Sequence, residues 1–280
     1  MSLIESAIAK ARGVAQGSAA RPSPAAQNSA QPRRIPAERR VGGTDSTKSA
    51  RQFPLCATDV VRMEENRILP QIADRAALRA YKIMRTRLLQ RLGQNNLQTV
   101  AVTGTDTGQG KTLTAINLAI ALAQDTNTSV FLVDLDLQRP MIGTYMGMTF
   151  KHGLGEYLTG EAELDQIIYS PGIERLAVIP NSTSFEHSSE RLTGPRMREL
   201  ESFLKAESPP RIVIYDMPPL LLSDDVLTFA PQVDGILLVV SEGFTTRSAL
   251  KKSKEILAEM NLIGVVLNRS TERDDAAYYY

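Results

Sequence analysis

Gly104 to Thr112 read GTDTGQGKT, directly after the apolar run Thr99 to Thr103 and at the start of the amphipathic stretch Lys111 to Ala123. A strand, a glycine-rich turn and a helix in that order set the backbone N–H groups of the turn and of the first helical turn around an anion. Gly108 and Gly110 permit the close approach and positive φ that a side chain blocks, with Gln109 between them as part of the same nucleotide-binding loop. Lys111 then stands where an ammonium reaches β and γ phosphates, and Thr112 where a hydroxyl binds Mg2+. The common spacing, GxxxxGK followed by Ser or Thr, has its first glycine at position 105. This chain has Thr105 there and Gly104 one residue earlier, so the loop is a variant P-loop.

Outward from the loop, β-rich apolar runs alternate with helical ones. Strands are predicted at Thr99 to Thr103, Val130 to Asp134, Leu176 to Ile179, Ile212 to Asp216, Gly235 to Val240 and Leu262 to Leu267. Helices are predicted at Lys111 to Ala123, Leu164 to Tyr169, Arg196 to Lys205, Asp224 to Phe229 and Thr246 to Met260. Continuous rather than alternating apolar strands between helices indicate an α/β fold, P-loop NTPase-like, with a mostly parallel sheet and helices on both faces. Ahead of it, Ala73 to Leu92 interleave basic residues with an apolar stripe, which predicts a long basic helix ended by Gly93.

Three acids fall at the carboxyl ends of these strands, where ligands of open α/β sheets gather. VFLVDLDLQRP places Asp134 and Asp136 there, and RIVIYDMPP places Asp216. Alternation directs Asp134 and Asp136 to one side. A carboxylate at such a place can also cap a following helix; three together point to Mg2+ with ATP.

These motifs resemble the bacterial tyrosine kinases, the BY-kinases: a P-loop ending GQGKT, an hhhDxDxxRP motif, an hhhDxPP motif and a carboxyl-terminal tyrosine run. The similarity covers roughly residues 75 to 280, and GLGEYLTGEAELDQII from Gly153, SERLTGPRM from Ser189 and IGVVLNRS extend it. The opening MSLIESAIAKA and the linker after it resemble the cytosolic branch encoded with exosortase-type exopolysaccharide loci. The resemblance implies an ATP-dependent tyrosine autokinase that regulates exopolysaccharide synthesis. Lys111 and Thr112 would act on phosphates and Mg2+, Asp134 as metal-linked residue and candidate base, and Asp136 and Asp216 on the metal or its waters. Asn268 would hold the adenine, and Arg139 would lie near the phosphates. The phosphoacceptors would be Tyr278, Tyr279 and Tyr280, an aromatic run after the polar TERDDAA with no core to join.

Two positions depart from the family pattern. Gln138 stands where Arg is usual. Where the family carries E-x-x-R-x-x-R for ring assembly, this chain has Arg79, Lys82 and Arg85, so the acid is missing. A homo-oligomer and phosphorylation in trans remain the expectation, with another acidic partner. The resemblance also implies a membrane polysaccharide co-polymerase as activator, which would recruit a cytoplasmic chain to the inner face of the plasma membrane, and a cognate tyrosine phosphatase.

Composition agrees with this class. The 280 residues are 42% hydrophobic and 22% charged, ordinary for a soluble globular protein. No apolar run approaches the roughly 20 residues of a membrane helix, and the amino terminus lacks the apolar core of a secretory signal. Cys56 is the single cysteine, and with His152 and His187 it cannot complete a zinc site. Residues 1 to 53 hold nine of the 32 Lys/Arg and three of the 31 Asp/Glu, leaving the remainder net acidic and a poor match for nucleic acid. The expected organisation is a short docking helix at 1–12, a flexible basic Pro/Ala-rich linker at 13–72, a kinase domain at 73–270 and a tyrosine-rich tail at 271–280.

Two rivals share parts of this pattern. ParA- and MinD-like switch ATPases carry a signature lysine five residues before the P-loop lysine, where this chain has Asp106. A dethiobiotin-synthetase-like ligase would share GTDTGQGKT but has no use for VDLDLQRP or three terminal tyrosines.

Overall fold

The computed structural model describes residues 53–71, 74–124, 129–205 and 211–270. Their strands are β1 (Thr99–Gly104), β2 (Ser129–Asp134), β3 (Leu176–Ile179), β4 (Arg211–Asp216), β5 (Gly235–Ser241) and β6 (Leu262–Asn268). They pair in parallel throughout, in the order β3-β2-β4-β1-β5-β6. All residues of β1 and β5 are buried, as a central strand covered on both faces requires. Because β1 lies between β4 and β5, the chain leaves it toward β2 on one side and later returns past it to β5 on the other. The loop after β1 therefore opens where the strand order reverses.

Helices α1 (Val60–Glu65), α2 (Arg75–Asn95), α3 (Lys111–Ala123) and α4 (Ile142–Met146) contribute to the core on one face. Helices α5 (Leu154–Thr159), α6 (Ser188–Leu192), α7 (Pro195–Leu204), α8 (Asp225–Phe229) and α9 (Arg247–Ile256) line the other. Helix α3 is apolar almost all round and is buried at every position except Lys111 and Leu113, so it is the central helix of its layer. Among the described residues no helix is long and apolar enough to cross a membrane.

The folded body begins earlier than residue 73. Residues 53–71, read from composition as linker, pack against the first face through Cys56, Met63, Ile68 and Leu69, each less than 5% exposed. Asp59 caps α1 by accepting from the Val61 and Arg62 N–H groups. Asn117 of α3 fixes the end of this segment: its Oδ1 accepts from Leu69 N at 2.8 Å and its Nδ2 donates to Arg67 O at 3.0 Å. Pro54 to Cys56 pair with Ser170, and Tyr169 pairs with Val178 of β3, so the β3 edge is covered. The expected docking helix, residues 13–52 of the linker and the tyrosine tail lie outside the described residues.

Three smaller expectations change. Helix α2 runs through Gly93 to Asn95, and Asn96 ends it in the left-handed region at φ 52°. The helix expected at Leu164 to Tyr169 is one 3-10 turn, Leu164–Gln166, because Ile167 and Ile168 are both buried and Tyr169 is drawn to β3. The last helix stops at Ile256 and tightens into a 3-10 turn at Leu257–Glu259.

Candidate nucleotide site

The loop between β1 and α3 is held from inside by Gln109. Its side-chain oxygen accepts from Thr105 N at 2.8 Å, and its amide donates to the hydroxyls of Thr105 and Thr245. Gln109 is 3% exposed, so its side chain braces the loop from within. Gly108 and Gly110 have φ of +69° and +85°, the conformation their type predicts. Gly110 is the N-cap of α3, and no side chain occupies that cap. The first-turn N–H groups and the positive end of the helix dipole thus face the loop opening.

Gly110 has a second reason to be glycine. A Cβ there would collide with the Asn268 amide. Asn268 ends β6, and its Nδ2 donates to Gln109 O at 2.9 Å while its Oδ1 accepts from Arg269 N at 2.9 Å. Arg269 in turn donates to Gly108 O at 2.9 Å. The ends of β5 and β6 are thereby tied to the loop, a connection that local periodicity does not announce; the sequence signal was only that these residues follow strand ends.

Across the opening, Lys111 Nζ lies 2.6 Å from Asp136 Oδ2, with the two side chains 12% and 5% exposed. Burial draws the Lys111 pKa down, but Asp216, Asp136 and Asp134 reverse that and leave it raised. Asp136 Oδ1 accepts from Arg139 N, which turns the Leu137 to Arg139 segment back on itself. Asp134 and Asp216 are register partners on β2 and β4, so their carboxyls meet side by side. Both are fully buried. Burial and then Asp216 push Asp134 well above the carboxylate range. Burial pushes Asp216 up to about 6, against the pull of Lys111 and of the Thr112 hydroxyl.

The three acids are not equivalent. Asp134 Oδ2 accepts from Met141 N and Ile142 N at 3.0 and 2.9 Å, so this carboxylate does hold the start of α4, while its Oδ1 has no partner. No group meets full hydrogen-bond geometry on either Asp216 oxygen, although the Thr112 hydroxyl is near enough to lower its pKa. Among the described residues no three acidic, histidine or cysteine side chains form a ready metal cluster. Magnesium is seldom held by a protein cage; one or two carboxylates, phosphate oxygens and water complete its shell. Two unpartnered buried oxygens on Asp216 beside the Thr112 hydroxyl fit that requirement.

The remaining sequence candidates lie around this centre. Gln138 donates to the hydroxyls of Ser188 and Ser223, and Ser188 donates to the buried Asp225, so Gln138 joins its own loop to the start of α6 and to the loop before α8 with a neutral link. The Arg139 side chain is exposed. On α2, Arg79 and Lys82 are exposed, whereas Arg85 reaches back to Ala121 O at the end of α3. Asp106 is exposed on the loop and accepts from Thr107 N.

Residues 100–279 match the CobQ/CobB/MinD/ParA nucleotide binding domain family. Tyrosine-protein kinase YwqD of Bacillus subtilis is 29% identical over 203 residues, which are 71% of this chain and 84% of the relative. Tyrosine-protein kinase Etk of Escherichia coli K12 is 31% identical over 207 residues, 73% of this chain but 28% of the much longer relative. The solved kinase domain of Escherichia coli Etk superposes with a TM-score of 0.63 at 30% identity, covering 71% of this chain and 78% of that domain.

Proposed function

Since the chain belongs to the CobQ/CobB/MinD/ParA nucleotide-binding domain family, and within it to the bacterial tyrosine kinases, we propose that it is an ATP-dependent protein-tyrosine kinase. Its acceptors would be its own Tyr278, Tyr279 and Tyr280. The carrying observation is the buried Lys111–Asp136 pair at the mouth of a P-loop, with Asp134 and Asp216 side by side on neighbouring strands behind it.

The chemistry follows from charge. Phosphoryl transfer passes through a loose transition state whose equatorial oxygens carry the charge, so positioning and neutralisation supply most of the rate. The loop N–H groups and the start of α3 would cradle the β and γ phosphates, and Lys111 would exchange Asp136 for phosphate oxygens. Thr112 and Asp216 would hold Mg2+ with Asp136 orienting its waters; the ion, when bound, would supply charge neutralisation. A phenol has a pKa near 10 against about 4 for an ordinary carboxylate, so proton transfer is late. Asp134, raised by burial and by Asp216, lies closer to the phenol in basicity, and its unpartnered Oδ1 is the candidate acceptor.

The wider setting follows from the same family. The kinase would regulate exopolysaccharide synthesis, act in trans within a homo-oligomer, take its activation from a membrane polysaccharide co-polymerase, and be reversed by a tyrosine phosphatase.

The test is incubation of the purified protein with ATP and Mg2+ followed by phosphosite mapping. Phosphotyrosine within 278–280, lost in Lys111→Met and on deletion of the last three residues, is the expected result. ATP hydrolysis with no phosphotyrosine would favour the switch-ATPase reading instead, although Asp106 in place of the signature lysine opposes it.

A further inference from the structure

Phe244 is an aromatic ring left 67% exposed at the edge of the site, in the turn that follows β5. The guanidinium of Arg269 lies over it, 4.5 Å from the ring centroid. Neither residue belongs to the phosphate loop, yet both are lashed to it. Arg269 donates to Gly108 O, and Thr245, next to Phe244, accepts from the Gln109 amide while accepting from Ser241 N at 2.8 Å. Glu242 N donates to Asn268 O at 3.0 Å, which joins the β5 and β6 turns to each other. Arg269 adopts a φ of +57° to take its place, a conformation uncommon outside glycine.

A single exposed ring is ordinary on a protein surface; this one is set apart by the hydrogen bonds that fix its turn beside the loop. About two thirds of its surface is open to a planar ligand. We propose that the Arg269–Phe244 pair is a stacking wall for the nucleobase of the nucleotide whose phosphates lie on Gly104 to Thr112, and that it favours a purine. Three features select a base over other occupants. The pair is planar and π-rich, as base stacking requires. It is cationic on one side, which suits the electron-rich face of a purine. It stands at the ends of β5 and β6 and is hydrogen-bonded to the β1 loop, within reach of a nucleotide anchored there. Flexible phosphate contacts cannot tell one base from another; a wall of fixed spacing from the loop can, because the larger ring overlaps more of it.

The inference rests on the nucleotide-binding reading above and is tested so that the two fail differently. Binding of ATP, CTP and inorganic tripolyphosphate, each with Mg2+, is measured by calorimetry for the wild-type chain, Phe244→Ala and Phe244→Trp. Phe244→Ala is expected to weaken ATP about 5- to 150-fold, the range of one lost base stack. Tripolyphosphate should be unchanged, CTP should weaken less than ATP, and Phe244→Trp should retain or improve ATP. ATP affinity unchanged in Phe244→Ala overturns the proposal and leaves the exposed ring to a macromolecular partner. Equal weakening of ATP and tripolyphosphate also overturns it, since the ring would then only shape the loop. Absence of binding of ATP and tripolyphosphate alike in the wild type overturns the nucleotide reading itself.

Discussion

Lys111 touches Asp136, yet Asp216 at the end of β4 and Asp134 at the end of β2 also help to hold its proton. One ammonium is therefore shared among three acids, of which Asp134 and Asp216 have pKa values raised by burial. A site that must neutralise an incoming polyphosphate keeps its cation occupied in a manner that is easily exchanged, because no single partner owns it.

Lys111→Met should expose this arrangement. Without the cation, Asp134 and Asp216 face each other in a dry site, and breaking such a buried set costs about 3 kcal/mol. The cost applies where the acids are ionised, so thermal melts should show the variant well below the wild type at pH 8 and closer to it at pH 5. A pH-independent gap would contradict the shared-cation picture.

Asp216→Asn is expected to trade activity for stability. The folded-state value of about 6 exceeds the ordinary carboxylate value near 4, so the folded chain binds more protons than the unfolded one between those limits. Stability is fully present below about pH 4 and falls as pH rises through about 6. Removing the ionisable group should raise stability at pH 8 on the order of 2 kcal/mol in metal-free buffer, with no gain at pH 4, while phosphotyrosine falls to background. Urea titrations at the two pH values measure it.

Gly110→Ala brings a methyl group against the Asn268 amide at a φ of +85°. A loss of about 2 kcal/mol combines the strained backbone with the collision. The collision alone should be relieved by Asn268→Ala, so a double-mutant cycle is expected to show coupling of about 1 kcal/mol between the two positions. Additive losses would mean that the amide simply moves aside.

Residues 53–71 supply a contrast between buried and exposed positions of one short segment. Ile68→Ala should cost about 3 kcal/mol and Asn117→Ala about 2 kcal/mol, the latter by stranding Leu69 N and Arg67 O. Val60→Ala, at a position 55% exposed, should stay within about 0.5 kcal/mol. Denaturant midpoints distinguish this from a linker, in which all three would be neutral.

What could be read from the residues alone was whatever local pattern controls. The six strands announce themselves because both faces of the sheet are covered, so their apolar runs are unbroken, and α3 was bounded correctly because Gly110 and a continuous apolar run define it. Residues 53–71 were misread because Met63, Ile68 and Leu69 have no period and are buried by packing on elements distant in sequence, where Asn117, 48 residues beyond Leu69, holds the segment's backbone. The contacts within the site were not legible for the same reason. Nothing near Gln109 says that its amide turns inward to Thr245, and nothing near Asp134 says that one of its oxygens will be spent on the α4 backbone.

Asn117 has a mechanical consequence. It lies six residues after Lys111 on one rigid rod, so the clasp on Arg67 and Leu69 and the phosphate-facing turn belong to the same lever. Pulling residues 67–69 away would therefore break the hydrogen bonds of a residue on the same helix whose first turn carries Lys111.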